Sequence, residues 1–541
     1  MTPVFSELAN EYLDDRAQRR PDLATDLGDH RFDAHLRDLS AAGLADERRA
    51  LDRWAARLSA LDTPALSAGQ QVDAAIMAND VARRIFELDE LRDHTWNPLN
   101  ANPGRAIYRV LALDFAPLPD RLASVAGRLA EVPRLLAGAR EQLDAMPRVH
   151  IETAISQFTG TIKFITERID AALAAAPSCT AQISKVRPAA LAALAGYRDW
   201  LAARLAEQDG FRSPRIGPER FARKLSLTLS GAADADSIHA RALTDLDRIT
   251  EEITALAASL GGSVNEVLRR LAVDAPDDDS ILGLCRDAIA EQTAFVRAAR
   301  LVTVHDDPTE LIEMPEIDRG VSVAYCDSPG ALETAPLPTF IAVSPTPADW
   351  TAERVASFYR EYNRHMVHNL MAHEAMPGHA LQLQHASRSG GSGTAIRKAL
   401  TSGAFIEGWA VYTEELMADH GYPGDGDPRT VRMQQLKMQL RTTINALLDS
   451  GIHARGMTEA EAMALMMDRG YQEEGEAAGK WRRAQLTSGQ LSTYYVGYTE
   501  IADLARALKA ARPDATEQQL HDAMLAHGSP PVRLLRSLLL P

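Results

Sequence analysis

His-Glu-Ala-Met-Pro-Gly-His, residues 373 to 379, sets two imidazoles and a carboxylate within seven positions, and its reading decides what the second half of the chain is for. The nearest motif with a known mechanism is H-E-x-x-H, in which two histidines one helical turn apart hold zinc and the glutamate between them is the general base. Here the second histidine comes six positions after the first, with Pro377 and Gly378 between. A regular helix turns roughly 100° per residue, so i and i+4 share a face while i+6 lies nearly opposite. Pro377 has no N–H for the carbonyl of His373 and its ring crowds that carbonyl, so the helix is expected to kink or bulge there. Gly378 makes the required dihedrals cheap. If the distortion absorbs two residues, His379 returns to the face of His373 and both reach one ion. A proline inside a helix costs about 3 kcal/mol, whereas tight zinc binding is worth on the order of 10 kcal/mol, so the strain can be offset. The competing reading is that Pro-Gly simply ends a helix and the two histidines are unrelated.

Working outward, TAERVASFYREYNRHMVHNLMAHEAM from Thr351 reads as a long helix leading into the motif. Before it, LVTVH (301–305), VSVAY (321–325) and TFIAVS (339–344) are short, rich in β-branched residues and separated by Pro, Gly and Asp, which predicts a small sheet. A helix beside a sheet is what a zinc peptidase needs if an edge strand is to hold an extended substrate. Downstream, Glu407 stands among Phe405, Ile406, Trp409, Ala410 and Val411, where a carboxylate is costly unless paired or metal-bound. It is the candidate third ligand of a two-His, one-Glu site with an open fourth position. Glu414, two turns on and on the same face, either supports a ligand or is solvated. His365 and His368 form a rival i, i+3 pair that reads better as a polar stripe.

From Phe5 to about Leu301 the pattern is helix after helix, with stripes such as Phe5, Leu8, Tyr12 and Leu13 that read as core. LGDHRFD, with Leu27, Gly28, His30 and Asp33, reads as a capped turn rather than a functional rim. Residues 396–535 are helical again, broken by a loop at GYPGDGDP, 421–428. The division expected is a helical lobe over 1–300 and a catalytic lobe over 301–541 with its sheet at 301–345, the two forming one continuous unit. The hydrophobic fraction of 46% and charged fraction of 24% are those of a globular protein. A net charge of -16 opposes binding to nucleic-acid phosphate. Three separated cysteines, Cys179, Cys285 and Cys326, offer neither a disulfide framework nor a thiolate zinc site and fit a reducing compartment. The N-terminal stretch MTPVFSELANEYLDDRAQRR lacks an apolar run, so the expectation is a cytoplasmic protein without a membrane partner.

HEAMPGHALQ, EGWAVYTEE, RTTINALLDSGIH and SGQLSTYYVG together resemble the bacterial "domain of unknown function 885" family, which looks related to zincin-type metallopeptidases. The resemblance covers nearly the whole chain, from EYLDDRAQRRPDLATDLGDHRFD to HDAMLAHGSPPVRLL. The family's HE-x-x-PGH motif carries the same Pro-Gly insertion. The resemblance implies one zinc ion held by His373, His379 and Glu407, with Glu374 as general base, and it marks Arg441, Asp449, His453, Arg483, Gly489, Gln490, Tyr494 and Gly497. Ser488 stands where the family has proline, and Ala380 where a second histidine is common; neither removes a ligand.

Amide hydrolysis passes through an anionic tetrahedral intermediate that a phenol, imidazolium or guanidinium can stabilise. Tyr494 is the first candidate, with His453 and Arg441 next, the arginine as a holder of a substrate carboxylate. A core tyrosine is the alternative for Tyr494, Tyr495 or Tyr498 could take its place, and Arg441 with Asp449 could be a structural ion pair. The fold expected is mainly α: a multi-helical zincin-like metallopeptidase with a small β-sheet beside the active-site helix and a deep cleft suited to short peptides. The function expected is hydrolysis of short peptides by zinc-activated water with Glu374 as base. Its rivals are a zinc amide hydrolase or acyl-transfer enzyme acting on a specialised metabolite, and a non-enzymatic helical binding protein with a structural or empty metal site. Oligomeric state is left open.

Overall fold

The computed structural model describes residues 5–540 apart from 208–209, 232–233, 315–322, 348–349, 390–393 and 425. The chain is mainly helical with one three-stranded sheet among the described residues. Leu118–Gln142 shows why the helices form and bury as they do: Leu122, Val125, Leu129, Val132 and Leu136 recur at three- and four-residue spacing and are all buried. That stripe shares a core with Phe158 and Ile165 of Arg148–Ala175 and Leu194 of Thr180–Ala206.

Hydrophobic clusters run across residue 300. Ala235–Ser259 presents Ile238, Leu246, Ile249 and Ile253 to a core that also holds Leu436, Leu440 and Leu447 of Pro428–Ala454. Phe5, Tyr12 and Trp54 pack in one cluster with Ile396 and Leu400. Pro428–Ala454 is buried nearly all round, polar residues included, so it has no solvent face and serves as a central post.

Strands β1 (Thr309–Glu313), β2 (Ala324–Asp327) and β3 (Thr339–Val343) lie in the order β1-β3-β2. β3 pairs parallel with β1 and antiparallel with β2, Cys326 facing Ile341 in register, so β2 is an edge strand. TFIAVS is thus β3 but for its last residue. Of VSVAY, residues 321–322 lie outside the described residues, and Ala324 and Tyr325 belong to β2. LVTVH is a correction, since 301–305 pairs with no strand among the described residues. Leu301 and Val302 are buried in a helix-packed core, and Thr303 bonds the Asp522 carboxylate through its N–H (2.9 Å) and hydroxyl (2.7 Å). A short β-branched run looks the same whether strands or helices cover it. The long helix predicted from Thr351 is two, Ala352–Glu361 and the motif helix Arg364–Glu374, because Asn363 caps the second through Met366 N–H (3.3 Å). The motif helix packs on the sheet: Met366, Val367, Leu370 and Met371 share a core with Ala324, Ile341 and Val343.

Candidate metal centre

The motif helix ends at Glu374, and His379 opens the next helix, His379–Arg388. The expected kink within one helix is therefore a full break spanning Ala375–Gly378, with a cis Met376–Pro377 peptide. Trp409, fully buried, donates its indole N–H to the Pro377 carbonyl at 2.9 Å and pins the break. Gly378 cannot be larger, since a Cβ there would lie 1.8 Å from the carbonyl oxygen of His373.

The break sets the two imidazoles edge to face, ring centroids 4.7 Å apart. Glu407 lies on the helix Gly403–Asp419 and places Oε2 3.6 Å from Nε2 of His373 and 3.6 Å from Nε2 of His379. Ligands of a tetrahedral ion with bonds of about 2.1 Å sit about 3.4 Å from one another. The three donors are thus spaced for a shared ion and too far apart for good hydrogen bonds. Glu407 Oε2 is buried with no hydrogen-bond partner, which is costly for a carboxylate unless a cation meets it. Two neutral imidazoles and a carboxylate are the donor set of catalytic zinc sites. Among the described residues this is the one cluster of His, Cys, Asp or Glu that could hold a metal, all its ligand atoms lying within 4.8 Å.

Glu414, one of the two options left by the sequence, is buried and takes a hydrogen bond from His373 Nδ1 at 2.7 Å while its other oxygen accepts from Asn369 at 2.6 Å. That bond puts the imidazole proton on Nδ1 and turns the Nε2 lone pair toward Glu407 and His379. Replacing Glu414 with Gln is expected to weaken zinc binding about 10- to 100-fold without unfolding the chain. Competition with a chromophoric chelator measures it, and unchanged affinity would remove Glu414 from the centre.

Glu374 is buried. Burial raises its carboxyl above the ordinary range, the His373 and His379 imidazoles pull it back, and the Glu407 charge adds to the rise. The backbone N–H of Cys326, in edge strand β2, bonds to the same carboxylate.

Tyr494 lies on the helix Ser492–Ala511, which crosses the Glu407 helix at glycine on glycine. A Cβ on Gly408 would stand 2.2 Å from the carbonyl carbon of Gly497, and one on Gly497 would stand 1.9 Å from the carbonyl oxygen of Ala404. This close approach brings Tyr494 beside Glu407, and burial together with the Glu407 charge pushes its phenol up to about 12, so it is a neutral donor. Tyr495 and Tyr498 are engaged elsewhere, donating to Asp245 (2.7 Å) and Glu415 (2.7 Å). Gly497→Ala is expected to force the helices apart, lowering stability by about 2–3 kcal/mol and cutting activity more than the folded fraction accounts for. Urea melts beside rates per folded molecule check it.

The structure does not bring His453 or Arg441 to the triad. His453 donates from Nε2 to the carbonyls of Thr487 (2.7 Å) and Ala484 (3.1 Å) and stacks on Phe221. Asp449 accepts from Gly489 N–H (2.9 Å) and from Ser492 N–H (3.0 Å) and hydroxyl (2.8 Å). Both therefore anchor the turn that starts the Tyr494 helix. Arg441 pairs with Glu476 and touches the Tyr362 hydroxyl at 3.3 Å, so the Arg441–Asp449 ion pair does not form. His368 is a core residue against the Tyr422 hydroxyl, 2.9 Å away. The LGDHRFD segment is a capped turn, Gly28 closing a helix at φ 85°, and it also ties to the loop after β2, His30 reaching Glu333 at 2.8 Å. Asn369, which donates to Glu414 at 2.6 Å, and the Cys326 N–H beside Glu374 carry no local signal in the sequence.

No functionally curated protein matches the sequence. A solved structure from Shewanella oneidensis, described as a "putative lipoprotein of unknown function", is 28% identical with a TM-score of 0.84 and covers 100% of each chain. Another, a "putative lipoprotein" from Colwellia psychrerythraea, is 18% identical with a TM-score of 0.78 and covers 98% of each. An M32 carboxypeptidase from Deinococcus radiodurans aligns at 9% identity and a TM-score of 0.43 over 98% of this chain and 95% of its own, a likeness too slight to bear on function. The first two overturn the cytoplasmic expectation, since lipoproteins are held at membranes by a covalent lipid. The physical reason is that a core of this size needs no disulfides, so scarce cysteine does not report the compartment. No helix among the described residues is long and apolar enough to cross a membrane. Residues 21–539 match the family described as bacterial protein of unknown function (DUF885), and the chain belongs to that family.

Proposed function

We propose that the protein is a zinc-dependent hydrolase of the zincin type that cleaves peptide bonds in short peptides. The observation that carries this reading is the position of Glu407 Oε2, unpartnered and 3.6 Å from both imidazole Nε2 atoms, next to a buried Glu374 that is not one of the three donors. Zinc bound there supplies a Lewis acid that polarises a carbonyl and lowers the pKa of water.

The chain's own residues do the rest. Glu374 accepts a proton from the attacking water and returns it to the departing amine, a role that suits a buried carboxyl whose proton affinity is raised. Tyr494, neutral and beside Glu407, donates a hydrogen bond to the oxyanion of the intermediate. Edge strand β2 runs past the Glu374 carboxylate at Cys326, where an extended substrate can lie along it.

Incubation with a peptide mixture and, separately, with amide-bearing metabolites, read by mass spectrometry, tests the proposal. The expected result is cleavage of peptide bonds that stops with a chelator and resumes with zinc. Products from the metabolites alone would replace the peptidase reading with amide processing, and products from neither would leave a binding role.

A further inference from the structure

Beyond Tyr494, one face of the helix Glu474–Leu486 carries Glu476, Lys480 and Arg483 at i, i+4 and i+7. Arg441 and the Tyr362 hydroxyl meet this face from other helices. Three basic side chains here, Arg441, Lys480 and Arg483, face Glu476, which is already paired with Arg441. The nearby Glu361 engages Lys437 (2.9 Å) and the Glu473 N–H (3.2 Å) through a single oxygen, Oε2, and adds a second negative charge to the group.

Lys480 is 6% exposed and makes no hydrogen bond or ion pair among the described residues. Burial and the neighbouring arginines penalise the charged ammonium and hold its pKa well below the ordinary lysine value, so an anion brought beside it would restore the charge. Arg483 is nearly as underused: one Nη2 makes long contacts to the Tyr494 hydroxyl (3.4 Å) and Gln490 (3.5 Å), leaving most of its five donors spare. Basic side chains with donors to spare, gathered on one helix face, are the complement of an anion.

Resting on the peptidase reading, we propose that Lys480 and Arg483, backed by Arg441, bind the C-terminal carboxylate of the substrate, so that the enzyme cuts near the C-terminal end of short peptides. Arg483 touches the hydroxyl of Tyr494 (3.4 Å), the donor proposed for the oxyanion, and a peptide advances about 3.5 Å per residue. A carboxylate held there therefore lies within about two residues of the scissile bond.

The test compares kcat/KM for N-acetylated tetrapeptides bearing a free C-terminal carboxylate and for their C-terminal amides. Wild-type protein is expected to favour the acids at least about tenfold, the scale of one charge-assisted hydrogen bond. Lys480→Met and Arg483→Gln are each expected to bring that ratio toward one, while Arg482→Gln, exposed on the next position of the same helix, keeps it. A ratio near one in wild-type protein, or one that survives both substitutions, overturns the proposal. So does a loss confined to amidated peptides with a glutamate side chain, which would assign the cluster to a side-chain carboxylate. A calorimetric titration of metal-free protein with N-acetyl-alanyl-alanine and its amide separates this idea from the hydrolase reading. Binding of the acid only, abolished by Lys480→Met, upholds the subsite even if zinc-loaded protein cleaves nothing, and equal binding of acid and amide overturns it.

Discussion

Glu374→Gln protein is expected to bind one zinc per chain and to hydrolyse peptides about a thousandfold more slowly than wild type, the usual weight of a general base. The side chain lies at the end of the motif helix, buried, with the Cys326 N–H on its carboxylate. An amide of the same shape keeps that contact and fills the same space, so stability changes little. What it removes is the ability to hold the proton that leaves the attacking water. Because Glu374 is not among the three convergent donors, zinc content and rate should separate. Metal analysis beside initial rates makes the comparison, and a variant that keeps both zinc and full rate would take the base away from Glu374.

Substituting His379 with Ala gives the second large effect, and here zinc and rate should fall together. His379 supplies one of three donors, and its Nδ1 has no hydrogen-bond partner, so the imidazole is held by packing and by whatever meets its Nε2. Losing one ligand from a site worth on the order of 10 kcal/mol should weaken zinc binding by roughly two to three orders of magnitude. The helix that His379 opens keeps Leu381, Gln382 and Ala386 buried, so the fold persists and the loss is local. Equilibrium dialysis against buffered zinc reads the affinity. A variant that binds zinc as wild type does would mean that the two imidazoles do not share an ion.

Which parts of this were legible follows from how local each signal is. Helical character and β3 are written in short-range periodicity, and TFIAVS needs no distant partner to be recognised. LVTVH has the same local signature, yet the core that covers Leu301 and Val302 is made of helices far along the chain. Glu407 announced itself through apolar neighbours in sequence. Glu414 did not, because its partner His373 lies 41 residues earlier. Tyr494, Tyr495 and Tyr498 read alike in sequence, and only the glycine-on-glycine crossing of Gly408 and Gly497 decides which of them faces Glu407. His453 and Arg441 carried the right chemistry for a substrate site, but their partners, the carbonyl of Thr487 and the carboxylate of Glu476, lie more than thirty residues away. The break at Pro377 was foreseeable as a distortion. Its completeness depends on Trp409, which grips the Pro377 carbonyl from another helix.

The central claim is that His373, His379 and Glu407 hold one zinc ion, and anomalous diffraction across the zinc absorption edge tests it most directly. Crystals grown with zinc should show a single strong anomalous peak within about 2.2 Å of Nε2 of both histidines and of a Glu407 oxygen. A peak lying elsewhere, or a triad that stays empty at saturating zinc, would contradict the account.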